Sequence, residues 1–191
     1  DEFIKAVKAL QPTFGGVNLE DIESPECFYI LDRLREECEI PVWHDDQQGT
    51  AVVNLAGLIN ALRIVDKKID EVKIAVVGTG AANIATTRLI MAAGVKPENI
   101  IAVDSKGILH KGRTELRETH AEKWKLCEIT NSEQRTGGIA EALVGADVCI
   151  ALSTPGPDTL KKEWIEKMNK DAIVFACANP IPEIWPWEAK E

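Results

Sequence analysis

Lys73-Ile74-Ala75-Val76-Val77-Gly78-Thr79-Gly80-Ala81-Ala82-Asn83-Ile84-Ala85 is the stretch whose reading decides the fold. Lys73 to Val77 reads as a short apolar strand buried on both faces, and it runs through Gly-x-Gly into a helix of small residues from Ala81 to Ala93. In such a turn the first glycine, Gly78, permits the tight bend. The second, Gly80, lets a pyrophosphate approach the backbone, where free N–H groups and the helix N-terminus meet it. Gly-x-Gly alone is a weak signal, and context gives it weight. Asn99 to Asp104 reads as the next strand, and Asp104 stands about 20–25 residues beyond the turn, where dinucleotide sites keep a ribose-binding acid. Asn83 occupies the place of the usual third glycine, while Ala81, Ala82 and Ala85 keep the helix face slim. Ser105 and Lys106 offer a hydroxyl and a cation suited to a 2′-phosphate, whereas Asp104 suits a free 2′-hydroxyl, so NAD and NADP both stay open.

The pattern continues outward from this unit. Asp147 to Leu152 and Ala172 to Cys177 read as further buried strands, with helices expected over Arg113 to about Trp124, Ile139 to Val144 and Asp158 to Met168. Strands alternating with helices specify an α/β protein with a doubly wound parallel sheet. Loops at the carboxyl ends of its strands are where such sheets bind ligands, which singles out Ser153-Thr154-Pro155-Gly156 and Ala178-Asn179-Pro180. Upstream, residues 1 to about 39 read as helical with a break at Gly15-Gly16. Asn18 is expected to cap a second helix that runs from about Ile22 to Cys38. Glu39 to His44 reads as extended. Gln47 to about Lys67 is a long helix apolar nearly all round, a pattern that implies burial between layers and a bridge between two domains.

Two acidic pairs stand out, Glu20-Asp21 and Asp45-Asp46. Each also fits as first-turn charge complementing a helix dipole. Carboxylates on rigid elements are equally what a hard divalent cation needs, and Glu20, Asp21 and one acid of the second pair form a three-carboxylate candidate for Mg²⁺ or Mn²⁺.

A formal net charge of −9 makes a nucleic-acid backbone or an anionic membrane surface an unfavourable partner. Five widely spaced cysteines without any C-x-x-C give neither a disulfide framework nor a zinc site, and reduced thiols suit a cytoplasmic protein. No apolar run has the length of a membrane span. The first residues, Asp1-Glu2-Phe3, are expected to fall within a longer protein.

Taken together, Pro-Thr-Phe-Gly-Gly-Val-Asn-Leu-Glu-Asp-Ile, Pro-Val-Trp-His-Asp-Asp-Gln-Gln-Gly-Thr-Ala, Gly-Thr-Gly-Ala-Ala-Asn-Ile-Ala, Val-Asp-Ser-Lys-Gly, Ser-Thr-Pro-Gly and Ala-Asn-Pro-Ile-Pro-Glu closely resemble the malic enzyme family, in order and spacing. The resemblance implies oxidative decarboxylation of L-malate to pyruvate and CO₂ with NAD or NADP and Mg²⁺ or Mn²⁺. It implies a Rossmann-like domain over 47–191, and in 1–46 the C-terminal part of a substrate- and metal-binding N-terminal domain. By the same resemblance Glu20, Asp21 and Asp46 are metal ligands and Asp45 partners a catalytic lysine. Gly78, Gly80, Ala81, Ala82, Asn83, Asp104, Ser105, Lys106, Ser153, Thr154 and Asn179 would serve the coenzyme, Asn179 also the substrate. The family's general-base lysine and general-acid tyrosine lie upstream of these motifs, so this chain by itself is expected to be inactive. A homo-oligomer, dimer or tetramer, is implied as well. Rival readings are a malolactic-type or other 2-hydroxy-acid oxidoreductase on the same scaffold, or a non-catalytic dinucleotide-binding module.

Overall fold

A computed structural model describes residues 1–190. Helix α1 (Glu2–Leu10) and α2 (Glu26–Glu37) pack with two short strands, β1 (Val17–Leu19) and β2 (Val42–His44), around a small core of Ile4, Leu19, Leu31, Leu34 and Val42. Here the sequence expectation needs a correction: Asn18 lies within β1 rather than capping a helix. β1 pairs with β2 in parallel, an interaction between segments more than twenty residues apart that local patterning does not reveal. From His44 the chain makes one π turn (Asp45–Gly49) and continues as α3 (Thr50–Ile64). A π turn closes i→i+5 bonds and therefore holds one more residue than an α turn.

The main sheet has the strand order β5-β4-β3-β6-β7. β3 (Ile74–Val77), β4 (Ile100–Asp104), β6 (Val148–Ala151) and β7 (Ile173–Ala176) are parallel, and the two-residue β5 (Gly107–Ile108) returns antiparallel to β4. Alternation along β3 divides the core. Ile74 and Val76 face a cluster with Leu58 and Leu62 of α3 and Ile84 and Ile90 of α4 (Ala81–Ala92). Ala75 and Val77 face the opposite cluster, with Leu143 of α7 (Ile139–Leu143) and, near α8 (Lys162–Ile165) and α9 (Pro186–Lys190), Leu160 and Ile184. Helices on both faces of a mainly parallel sheet make the expected doubly wound α/β architecture.

The order reverses between β3 and β6, so a crevice opens at their carboxyl ends. Gly78 sits there with φ +88°, and a Cβ on it would lie 2.2 Å from the carbonyl oxygen of Leu152. Backbone, not a movable side chain, excludes any other residue. At the opposite end of the strands the Asp147 carboxylate accepts from Lys73 N–H at 2.9 Å, Lys67 Nζ at 2.9 Å and Asn169 Nδ2 at 3.0 Å, which ties β3, β6 and the approach to β7 together.

Three further expectations are revised. The helix expected over 113–124 is two helices, α5 (Leu116–Thr119) and α6 (Ala121–Ile129), split where His120 takes φ −153° and ψ 75°. Of 158–168 only α8 is helical, because Leu160 N–H is engaged by the Glu183 carbonyl at 3.0 Å and Thr159 Oγ1 by the Thr154 carbonyl at 3.0 Å. The all-round apolar α3 buries one face only, and Val53 (72% exposed) and Ile64 (85% exposed) lie on the other.

Gly78→Ala is expected to destabilise the fold by about 1–3 kcal/mol, through left-handed strain and collision with a carbonyl. Gly80→Ala, at φ −82° with nothing within 4 Å of the new Cβ, is expected to stay within about 0.5 kcal/mol of the parent. Urea unfolding of the two variants checks the contrast.

Candidate functional site

The parallel register pairs Leu19 with His44, so Glu20-Asp21 and Asp45-Asp46 leave adjacent strands at the same end. Asp21 adopts φ 55°, a left-handed conformation that aspartate tolerates, and its N–H donates to Asp46 Oδ2 at 2.9 Å. Glu20 is turned toward Asn18, whose Nδ2 donates to Oε1 at 2.8 Å. Asp45 folds back within the π turn, its carboxylate lying where a Cβ on Gly49 would stand. Asp46 Oδ2 is 3.9 Å from Nδ1 of the fully buried His44, whose ring nitrogens both lack partners. Among the described residues none of these four acids has a Lys or Arg ion-pair partner, and no three His, Cys, Asp or Glu side chains are gathered closely enough to hold a metal ion. The donor chemistry fits a hard cation, being all oxygen with no Lys or Arg paired to it, while the contact between the two pairs is that of the Asp21 N–H with the Asp46 carboxylate. Closing three carboxylates on one ion requires Glu20 to leave Asn18.

This acidic corner opens on a cleft of about 690 Å³ lined by Asp45, Asp46, Gly80, Ala82, Asn54 and Asn179. A second groove of about 420 Å³ runs over Gly78, Asp104, Ser105, Lys123, Ser153 and Thr154. The two share Gly80, Leu152 and Ser153, at the crevice between β3 and β6. The exposed side of Gly80 meets no protein atom, so close approach of a ligand is the remaining reason for a glycine there. Ala81 and Ala82 follow in the first turn of α4. Asn83 is buried and turned inward, its Nδ2 donating to the carbonyls of Val77 at 3.0 Å and Gly78 at 2.9 Å. It ties the helix to the end of β3, the closeness a third glycine otherwise provides.

Asp104 is held below the usual carboxylate range. Burial pushes its pKa up, and Arg113, the Lys106 N–H and Lys123 together outweigh that effect. Arg113 grips it with both Nη atoms at 3.2 and 3.3 Å, and Lys123 Nζ lies 3.2 Å away. Ser105 and the Lys106 side chain are exposed beside it.

Residues 47–188 match the family model described as malic enzyme, NAD binding domain, and residues 1–35 match malic enzyme, N-terminal domain. The chain belongs to the malic enzyme family. It is 52% identical to the NAD-dependent malic enzyme of Geobacillus stearothermophilus, over 97% of this chain and 37% of that relative. It is 47% identical to the NADP-dependent malic enzyme of Salmonella typhimurium, over 100% of this chain and 24% of that one. A crystal structure of malic enzyme from Pyrococcus horikoshii superposes with TM-score 0.95 at 56% identity, covering 99% of this chain and 44% of that chain. The chain thus spans less than half the length of these relatives.

Sequence reasoning did not single out Arg113 or Lys123 as partners of Asp104, nor a role for Glu183. Glu183 is fully buried, and its Oε1 accepts from Ser153 N–H at 2.8 Å and Ser153 Oγ at 3.3 Å while Oε2 accepts from Ala178 N–H at 3.0 Å. One carboxylate therefore joins the loops that follow β6 and β7. Its only trace in the sequence is an acid three residues after Pro180, close to the Ala-Asn-Pro turn.

Glu183→Gln turns an NH₂ toward a backbone N–H and is expected to cost about 1–3 kcal/mol in denaturant unfolding. For Asp104 the sign follows from a folded-state pKa below the ordinary value of about 3.9. Its contribution is complete above that value and is lost as pH falls through the lower folded one. Stability measured from pH 6 down to 2 is expected to fall less steeply in Asp104→Asn.

Proposed function

We propose that this chain carries the coenzyme groove and the metal-binding acids of a decarboxylating malate oxidoreductase, which converts L-malate to pyruvate and CO₂ using NAD or NADP with Mg²⁺ or Mn²⁺. One observation carries the reading: the Asp45-Asp46 corner and the Gly80–Asn83 helix start line the same cleft. Residues 1–46 would belong to the domain that contributes metal and substrate contacts, and 47–191 to the dinucleotide-binding domain. No helix among the described residues is long and apolar enough to cross a membrane.

In this reading Gly78, Gly80, Ala81 and Ala82 receive the pyrophosphate at the start of α4. Asp104, Ser105 and Lys106 face the adenosine ribose. Ser153 and Thr154 border the dinucleotide where the two hollows meet, and Asn179 offers its exposed amide to the nicotinamide or a substrate carboxylate. Bound coenzyme supplies the hydride acceptor, and the protein's share is to orient it and exclude competing reactions. Glu20, Asp21 and Asp46 would hold the divalent cation, which supplies Lewis acidity toward the substrate's hydroxyl and carboxylate oxygens. Asp45, beside Asp46 at the cleft wall, would orient a lysine outside this chain.

Two results are expected. Calorimetric titration with Mn²⁺ in the presence of malate detects binding that Asp46→Ala weakens at least about tenfold, as loss of one charged ligand requires; equal binding by both proteins leaves a plain dinucleotide-binding module. Malate-dependent coenzyme reduction, followed by absorbance, is expected to be absent from the 191-residue chain by itself, and turnover there would refute the assignment of acid and base to other segments.

A further inference from the structure

Asn54 is 5% exposed, on a buried helix face otherwise made of Ala51, Leu58 and Leu62. A primary amide in such a position needs partners, because each buried donor left unpaired costs about 1–3 kcal/mol. Its Oδ1 accepts from the Cys177 thiol across 3.6 Å, a contact that turns the oxygen toward the end of β7. Among the described residues Nδ2 has no protein hydrogen bond, and it is not a fully buried atom, so it is left open to the solvent of the cleft. Both Asn54 and Cys177 line the large cleft. Asn54 lies one helical turn beyond Thr50, which lines the same cleft. The amide thus borders space that has the helix start of the coenzyme turn on one side and the acidic corner on the other. On the dinucleotide reading, with the pyrophosphate at Gly80 to Ala82, that space would receive the pyridine end.

We propose that Asn54 is a coenzyme-positioning residue, its Nδ2 donating a hydrogen bond to the carboxamide oxygen of the nicotinamide. Cys177 serves as the contact that keeps the Asn54 amide in the donating orientation. The inference rests on the dinucleotide reading given under Proposed function and adds a specific partner to it.

Calorimetry on the 191-residue chain separates the two. Oxidised NAD and NADP, the matching fragments without nicotinamide (ADP-ribose and 2′-phospho-ADP-ribose) and the 3-acetylpyridine analogue, which keeps the carbonyl, are titrated into the parent and Asn54→Ala. The substitution is expected to weaken the coenzyme and the acetylpyridine analogue alike, by roughly five- to tenfold. The fragments are expected to change less than about twofold, which also establishes that the variant is folded. Equal weakening of the fragments, or no weakening of the coenzyme, overturns the assignment to the carboxamide. Failure of the parent to bind either coenzyme or fragment overturns the dinucleotide reading itself.

Discussion

The close approach of β3 and β6 at their carboxyl ends is the constraint on which the rest of the molecule depends. Leu152 carbonyl oxygen stands where a Gly78 side chain would be, so the chain turns there on bare backbone, at the crevice beside the strand ends where the sheet order reverses. α4 starts at that crevice, and so its unsatisfied N–H groups face it. The loops after β6 and β7 form the far wall, joined by a single buried carboxylate. Small residues at the turn, a helix start and a pair of loops are consequences of one backbone distance.

Charge is organised in two contrasting ways. Asp104, Asp147 and Glu183 are each satisfied by two or more donors, and in each case the acid joins segments distant in sequence. Charge-assisted donors offset what burial costs each of these carboxylates. Glu20, Asp21, Asp45 and Asp46 are treated differently. Among the described residues none of them pairs with a lysine or arginine, and of the four Asp45 and Asp46 line the large cleft. Their charge is left uncompensated by the protein, in contrast to the three acids above.

Much of this was legible in the sequence, for a physical reason. The strand-turn-helix over 73–85 and the later strands at 147–152 and 172–177 were readable because burial on both faces produces unbroken apolar runs whatever their partners are. The doubly wound architecture followed from their alternation with helices. Elements whose existence depends on a distant partner were not readable. β1 is three residues held by β2, and the 113–124 helix breaks where His120 lines the groove over Gly78 and Asp104. Candidate site residues showed the same division. The Gly-x-Gly turn and the two acidic pairs carry their chemistry in adjacent letters, whereas Arg113, Lys123 and Glu183 act through contacts across 9, 19 and 30 positions.

The π turn at Asp45–Gly49 sets the phase of everything after it. Each residue in a helix advances the azimuth by about 100°, so deleting one residue from α3 just after this turn would move every later side chain into its neighbour's place. Ile59 and Arg63 would take the buried places of Leu58 and Leu62, and Leu55 would stand where Asn54 meets Cys177. Length changes in this protein must therefore fall outside α3.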